Sequence, residues 1–235
     1  AGDPAFTGSM ILKLFEDLAP RTTGQFLTLA SRNPSFFEGI IFHRIADSIT
    51  PGENFVIQGG DPTGTGTGRS DLPNFDDEFH VDLQHTSIGI LSMAKAGDDT
   101  NTSQFFITDA PTRFLDFNHS IFGRMTSGDS VREGISNVAV NNSTANRPLT
   151  DVKMSDVQVF MDHENGVLML KAPEGATGTS NVTVTVTDQA GKTSHQTFSV
   201  TVAADTSNSP NAPPFLNEVA DVTTTSGTAV NVQLT

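Results

Sequence analysis

Phe42-His43-Arg44-Ile45 and, after the nine residues Ala46 to Asn54, Phe55-Val56-Ile57-Gln58-Gly59-Gly60-Asp61 decide how this chain folds. Ile40 to Ile45 and Phe55 to Gln58 are rich in β-branched and aromatic residues and read as strands. Successive side chains of a strand face opposite ways, so His43 and Arg44 point to different sides. His43 is read as structural and Arg44 as presented outward. Ala46 to Asn54 reads as a long loop beside them.

Working outward, Met10 to Phe15 reads as a strand. Pro20 opens a helix, a position that proline favours, with Phe26, Leu27, Leu29 and Ala30 along one side. Thr63 to Gly68 alternates Gly and Thr and forms no regular element. Ile88 to Ala94, Gln104 to Thr108 and Ile121 to Met125 read as strands. Ser127 to Ser136, with Asp129 and Ser130 at its start, reads as a short helix. Val152 to Phe160 reads as a last strand. About eight strands and two helices without βαβ alternation predict a mainly β fold, an antiparallel sheet closed into a barrel.

The 235 residues carry a formal net charge of −14, and both the part up to residue 160 and the remainder are acidic. With no cluster of Lys or Arg, nucleic acid and anionic membranes are not expected partners. No run of eighteen apolar residues encodes a membrane-spanning helix. Residues 1–8 lack the basic and apolar parts of a signal peptide. Cysteine is absent, which excludes disulfides, thiol catalysis and thiolate metal sites. Asp98-Asp99, Asp76-Asp77-Glu78 and the acidic residues from Asp162 to Glu164 lack the ligand spacing of a calcium loop and read as solvated surface.

Composition shifts near residue 160. Val182, Val184 and Val186 alternate with threonines, Asp188 to Gly191 makes a turn, and Phe198, Val200 and Val202 alternate again: a hairpin. The expected organisation is one large domain over 1–160, a β-rich segment over 161–205, a linker over 206–214, and the truncated start of a further β-module over 215–235.

Three stretches carry a resemblance. They are the two quoted above; Gly89-Ile90-Leu91-Ser92-Met93-Ala94-Lys95-Ala96-Gly97; and Thr100-Asn101-Thr102-Ser103-Gln104-Phe105-Phe106-Ile107 with Phe114-Leu115-Asp116 and His119. In this order and spacing they closely resemble the cyclophilin family of peptidyl-prolyl cis-trans isomerases, over about 150 residues. The resemblance implies an eight-stranded antiparallel barrel capped by two helices, with a substrate groove on its outer surface. Residues 161–205 resemble, more weakly, immunoglobulin-like or cadherin-like repeats and imply a small β-sandwich-like or incomplete β segment.

The implied reaction is rotation about X-Pro bonds in polypeptide substrates, assisting their folding. Amide resonance sets the uncatalysed barrier at about 18–20 kcal/mol. No covalent bond breaks, so no nucleophile, metal or cofactor is called for. The enzyme need only bind the twisted amide better than either planar form. Twisting restores the lone pair on the proline nitrogen, which a fixed guanidinium can bond. By resemblance Arg44 is the catalytic residue and Gln58 holds it. Phe55, Val56, Phe106 and Leu115 form the proline slot, with His119 at its rim. Gly66, Ala94, Lys95, Ala96 and Gln104 line the substrate backbone. Phe105, one residue from Phe106, is expected to point into the core.

Several positions depart from the family. Phe114 stands where many members carry tryptophan, and it lacks the indole N–H. Cyclosporin binding is therefore expected to be weakened. Lys95 replaces a common asparagine, and its cation is expected to favour acidic substrates. The strand at Met10 to Phe15 lacks most of the outer strand that members add before it. Two other functions are a non-catalytic proline-peptide-binding module and a surface structural module. The absent cysteines, the acidity and the repeat-like segment predict export to the periplasm or cell surface, with a cytoplasmic location left open.

Overall fold

The computed structural model describes residues 7–47, 54–162, 167–173 and 176–203. The expected linker at 206–214 and the β-module at 215–235 lie outside the described residues. Two compact units divide between Val167 and Leu168.

In the first unit, β1 (Ile11–Leu14), α1 (Pro20–Ala30), β2 (Arg44–Asp47), β3 (Asn54–Gly59), β4 (Ile90–Met93), β5 (Phe105–Thr108), β6 (Ile121–Ser127) and α2 (Asp129–Ser136) follow in chain order. The strands form one antiparallel sheet in the order β1-β6-β4-β5-β3-β2. A small pair, β7 (Val140–Asn141) with β8 (Arg147–Pro148), stands beside it. Among the described residues this sheet is open, with β1 and β2 at its edges, so the mainly β, two-helix architecture is as expected but no closed eight-stranded ladder is seen.

The strand expected over Val152 to Phe160 is corrected. Only Lys153 bridges, to Ile41. Val152, Met154 and Val157 do pack on the core, whereas Val159, Phe160 and Met161 are exposed. Apolar alternation marked burial there, but backbone pairing, with residues 39–42, involves residues 152–154 alone and makes no regular strand. The loop expected from Ala46 is also shorter, because β2 runs on to Asp47 and β3 begins at Asn54.

Strand alternation divides the side chains into two sets. Ile45, Ile57, Leu91, Met93, Phe105 and Ile107 face one main core. Phe26 of α1 stacks on Phe37 with ring centroids 4.7 Å apart, and both meet the edge of Phe105 at 5.6 and 5.7 Å. These rings do the work of the absent Trp and Tyr. Ala46, Val56, Phe106 and Leu115 form a second, smaller cluster on the other face.

Both helices are anchored from outside. Ala19 provides no side-chain cap for α1, and Glu78 accepts the N–H groups of Arg21 (3.1 Å) and Thr22 (2.8 Å) instead. A carboxylate suits the positive end of a helix. In α2, Arg132 pairs with buried Asp109 after β5, and Ser136 Oγ donates to the same carboxylate at 2.7 Å.

In the second unit β9 (Gly178–Thr187) and β10 (Thr193–Val202) form the expected hairpin in continuous register. Thr179 pairs with Thr201 and Thr183 with Thr197 through hydroxyls 2.8 and 2.7 Å apart. Among the described residues no helix is long and apolar enough to cross a membrane.

Candidate active site

Register builds the site. Arg44 of β2 lies opposite Gln58 of β3, and Gln58 lies opposite Phe106 of β5. Directly opposed residues share a face. The three therefore stand in one row across the sheet, on the side away from the main core. Two residues along, Ala46 opposes Val56 on that same face.

The row is joined by hydrogen bonds. Arg44 Nη1 donates to Gln58 Oε1 at 3.0 Å, and Gln58 Nε2 donates to Gln104 Oε1 at 3.0 Å. Gln104 Nε2 in turn donates to the carbonyls of Gly66 (3.0 Å) and Gly68 (2.8 Å). Burial lowers the pKa of Arg44 from its ordinary value, yet guanidinium remains a cation at neutral pH. The head is half-buried, tethered at one corner, and beside an apolar notch.

Ala46, Val56, Phe106 and Leu115 make that notch, with Phe55 and Ala94 packed at its margins. Leu115 is supplied by a single 3-10 turn, Arg113–Leu115. Phe114 is 60% exposed and stacks on Phe55, centroids 5.6 Å apart. His119 meets Phe106 edge-on at 5.5 Å, and its Nδ1 lies 2.9 Å from the Met93 carbonyl. Burial lowers its pKa, so the ring is neutral at pH 7. Ala94 N–H donates to the Gln104 carbonyl at 2.9 Å, and exposed Ala96 donates its N–H to Thr100 Oγ1 at 3.2 Å.

Gly66 belongs to the Thr63 to Gly68 loop, and its φ of +87° is a conformation that glycine adopts without strain. The loop cradles a carboxylate from its own chain. Asp61 accepts the N–H groups of Thr63 (2.7 Å), Thr65 (3.1 Å), Gly66 (2.6 Å) and Gly68 (3.1 Å). Burial alone would raise the pKa of Asp61, but these bonds hold it below the usual carboxylate value.

Lys95 needs correcting. Its ammonium is nearly buried, paired with Asp77 and with Asp98 at 3.1 Å. It is a neutralised wall and presents no cation of its own to an acidic substrate.

Two features carried no signal in the sequence. His85 lies flat against Phe106 at 5.9 Å, with Nδ1 3.0 Å from Asp116 Oδ1 and Nε2 3.1 Å from Ser92 Oγ. This fully buried chain backs the notch from positions far apart in sequence. Arg147 of β8 reaches the glycine loop, donating to the Gly64 carbonyl at 2.9 Å. Among the described residues, no group of three or more His, Asp or Glu side chains is placed to hold a metal ion.

Known proteins agree with this geometry. The profile of the cyclophilin type peptidyl-prolyl cis-trans isomerase/CLD family matches residues 3–159. Peptidyl-prolyl cis-trans isomerase ppi1 of Schizosaccharomyces pombe is 47% identical over 151 residues, covering 63% of this chain and 90% of the relative. Peptidyl-prolyl cis-trans isomerase-like 1 of Aspergillus oryzae is 44% identical over 169 residues, covering 70% and 99%. Among solved structures, a cyclophilin type isomerase of Cryptosporidium parvum, crystallised in the presence of the dipeptide Ala-Pro, superposes with a TM-score of 0.58. It is 32% identical, with 65% of this chain and 93% of that one covered.

Proposed function

Because the chain belongs to the cyclophilin-type family and is a peptidyl-prolyl cis-trans isomerase, we propose that Arg44 is the group that lowers its rotation barrier. The observation that carries this is the guanidinium tethered to Gln58 at the edge of the notch formed by Ala46, Val56, Phe106 and Leu115. A proline ring of a polypeptide substrate fills the notch. As the amide twists, its nitrogen regains a lone pair and accepts an N–H of Arg44. The Gln58–Gln104 chain holds the donor in place beforehand, so little reorganisation is needed in the transition state. Phe55, Phe114 and His119 bound the notch. Ala94, Lys95, Ala96 and Gly66 line the path of the substrate backbone.

The test is Arg44→Ala assayed on an Ala-Pro peptide. The expected loss in kcat/KM is about 10²–10³-fold, the size seen when one transition-state donor is removed. Stability should barely change, because Arg44 packs in neither core cluster. Retention of full activity would overturn the assignment. Unchanged peptide affinity with no rate enhancement in the wild-type chain would support the binding-module alternative instead.

Two wider readings belong to the same proposal. The open sheet is part of a closed barrel, with residues 39–42 and 152–154 supplying the extra pairing. Gly39 N–H donates to Met154 O (2.7 Å), Met154 N–H to Ile40 O (2.9 Å) and Phe42 N–H to Val152 O (2.9 Å). The Thr/Val hairpin is a repeat-like stalk on an exported protein, an assignment supported by the composition and checked by locating the full-length protein in fractionated cells.

A further inference from the structure

A cavity of about 620 Å³ opens beside Arg44. It shares Arg44 and Gln58 with the proline notch but none of Ala46, Val56, Phe106 and Leu115. Its other walls are His43, the loop from Gly64 to Thr67, and the β7–β8 segment that ends in Arg147, Pro148 and Leu149.

The wall is chemically one-sided. Its charged side chains are two arginines, Arg44 and Arg147. Asp61 lies behind the loop, with both oxygens taken up by loop donors. Arg147 places one N–H on the Gly64 carbonyl and one on Asp151 at 3.0 Å, out of five donors. Asp151 is 44% exposed, so that pair is a surface one and readily exchanged.

His43 is the second observation. It is 5% exposed, and neither ring nitrogen has a hydrogen-bond partner of ordinary geometry. Gln104 lies near enough to favour a charged ring, though no hydrogen bond of ordinary geometry joins the two. A buried polar group without a partner is costly, and one that lines a cavity can be completed by a ligand or by water. Gly66 leaves the ring uncovered, since a Cβ there would stand 3.7 Å from His43 Cδ2 and 3.9 Å from Nε2.

We propose that this cavity takes an anionic side chain of the substrate, a carboxylate or a phosphate monoester lying within a few residues of the proline, held by Arg147 and by an N–H of His43. The proposal rests on the isomerase reading and deepens it by naming a substrate class. The chain as a whole carries a net charge of −14, which disfavours anionic peptides in general. A preference for them must therefore come from a local cationic wall.

The test uses the full chain and peptides with an Ala-Pro centre. Glu, Gln, phosphoserine or Ser is placed in turn at each of three positions on either side, and kcat/KM is measured by exchange NMR. At one position Glu should exceed Gln, or phosphoserine exceed Ser, by about tenfold, the worth of one charge-assisted hydrogen bond. The larger of the two ratios names the anion. The ratio should fall toward one in Arg147→Gln and persist in Arg147→Lys, and because it is read within each variant a general loss of rate cancels. Ratios of one at every position in the wild type, with the neutral peptides turned over normally, would overturn the proposal. So would a ratio that survives Arg147→Gln. Failure to turn over any peptide would instead overturn the isomerase reading beneath it.

Discussion

Replacing Asp61 by Asn separates charge from shape at the residue that holds the glycine loop. The carboxylate is 1% exposed, and Oδ2 accepts three N–H groups, from Thr65, Gly66 and Gly68. Oδ1 accepts the N–H and the hydroxyl of Thr63. An amide can keep one oxygen only. Its best orientation leaves the oxygen on the three-donor side and turns NH₂ toward Thr63, where the hydroxyl can rotate to accept but the N–H loses its partner. One orphaned N–H costs about 1–3 kcal/mol, and the three surviving bonds lose their charge assistance, about 1 kcal/mol each. Part of this is recovered because the loop is partly exposed and water can serve it, so the net loss should be roughly 2–4 kcal/mol. Catalysis should suffer with stability, because the loop carbonyls of Gly66 and Gly68 hold Gln104 and through it Gln58 and Arg44. The assay is urea unfolding followed by far-UV circular dichroism, since the chain has no Trp or Tyr. The folded pKa of Asp61 lies below its ordinary value of 3.8. Its contribution is thus present above that value and lost as pH falls through the folded one. Wild type and Asp61→Asn should therefore converge in strong acid. A difference under about 0.5 kcal/mol at pH 7, within the range of ordinary surface substitutions, would refute the reasoning. So would a gap that stays open in acid.

Further outcomes follow from the same geometry. Phe114 is exposed and lacks an N–H, so cyclosporin should bind weakly, and Phe114→Trp should tighten binding about five- to tenfold, one net hydrogen bond; calorimetric titration showing no gain would count against it. Burial holds His43 and His119 below the ordinary value of 6.5, so both fold neutral. Unfolded chains take up these protons as pH falls through 6.5, and stability should decline from pH 7 toward 5; a urea midpoint that stays level over that range would contradict the assignment.

What the sequence revealed was what strand alternation and local motif encode. Phe105 in the core and Phe106 on the outer face follow from a period of two, and the row Arg44, Gln58, Phe106 needed only the motifs to place it on paired strands. Partners distant in sequence were hidden. Nothing near Lys95 indicates that Asp77 would neutralise it, and nothing near His85 indicates Asp116 or Ser92. The failure at Val152 to Phe160 has a related cause. Apolar periodicity reports which side chains are buried, whereas a strand also needs a neighbour for its backbone, and residues 39–42 supply one to residues 152–154 alone, too short a stretch for a regular strand.

The division of the sheet into two faces explains how such a site can vary without loss of fold. Ile45 and Ile57 are held by the main core, while Arg44 and Gln58, one residue away, stand on the other face of the sheet and bond to each other. Substitution of Arg44 should therefore act on rate and leave stability nearly untouched, whereas Phe106 in the same row is buried in the second cluster. The glycine loop is the exception, because Asp61 both closes its backbone bonds and positions Gln104. Loss of rate and loss of stability should accordingly separate at Arg44 and travel together at Asp61. If they instead travelled together at both, the row would be part of the core's packing, and the independence of the two faces would be wrong.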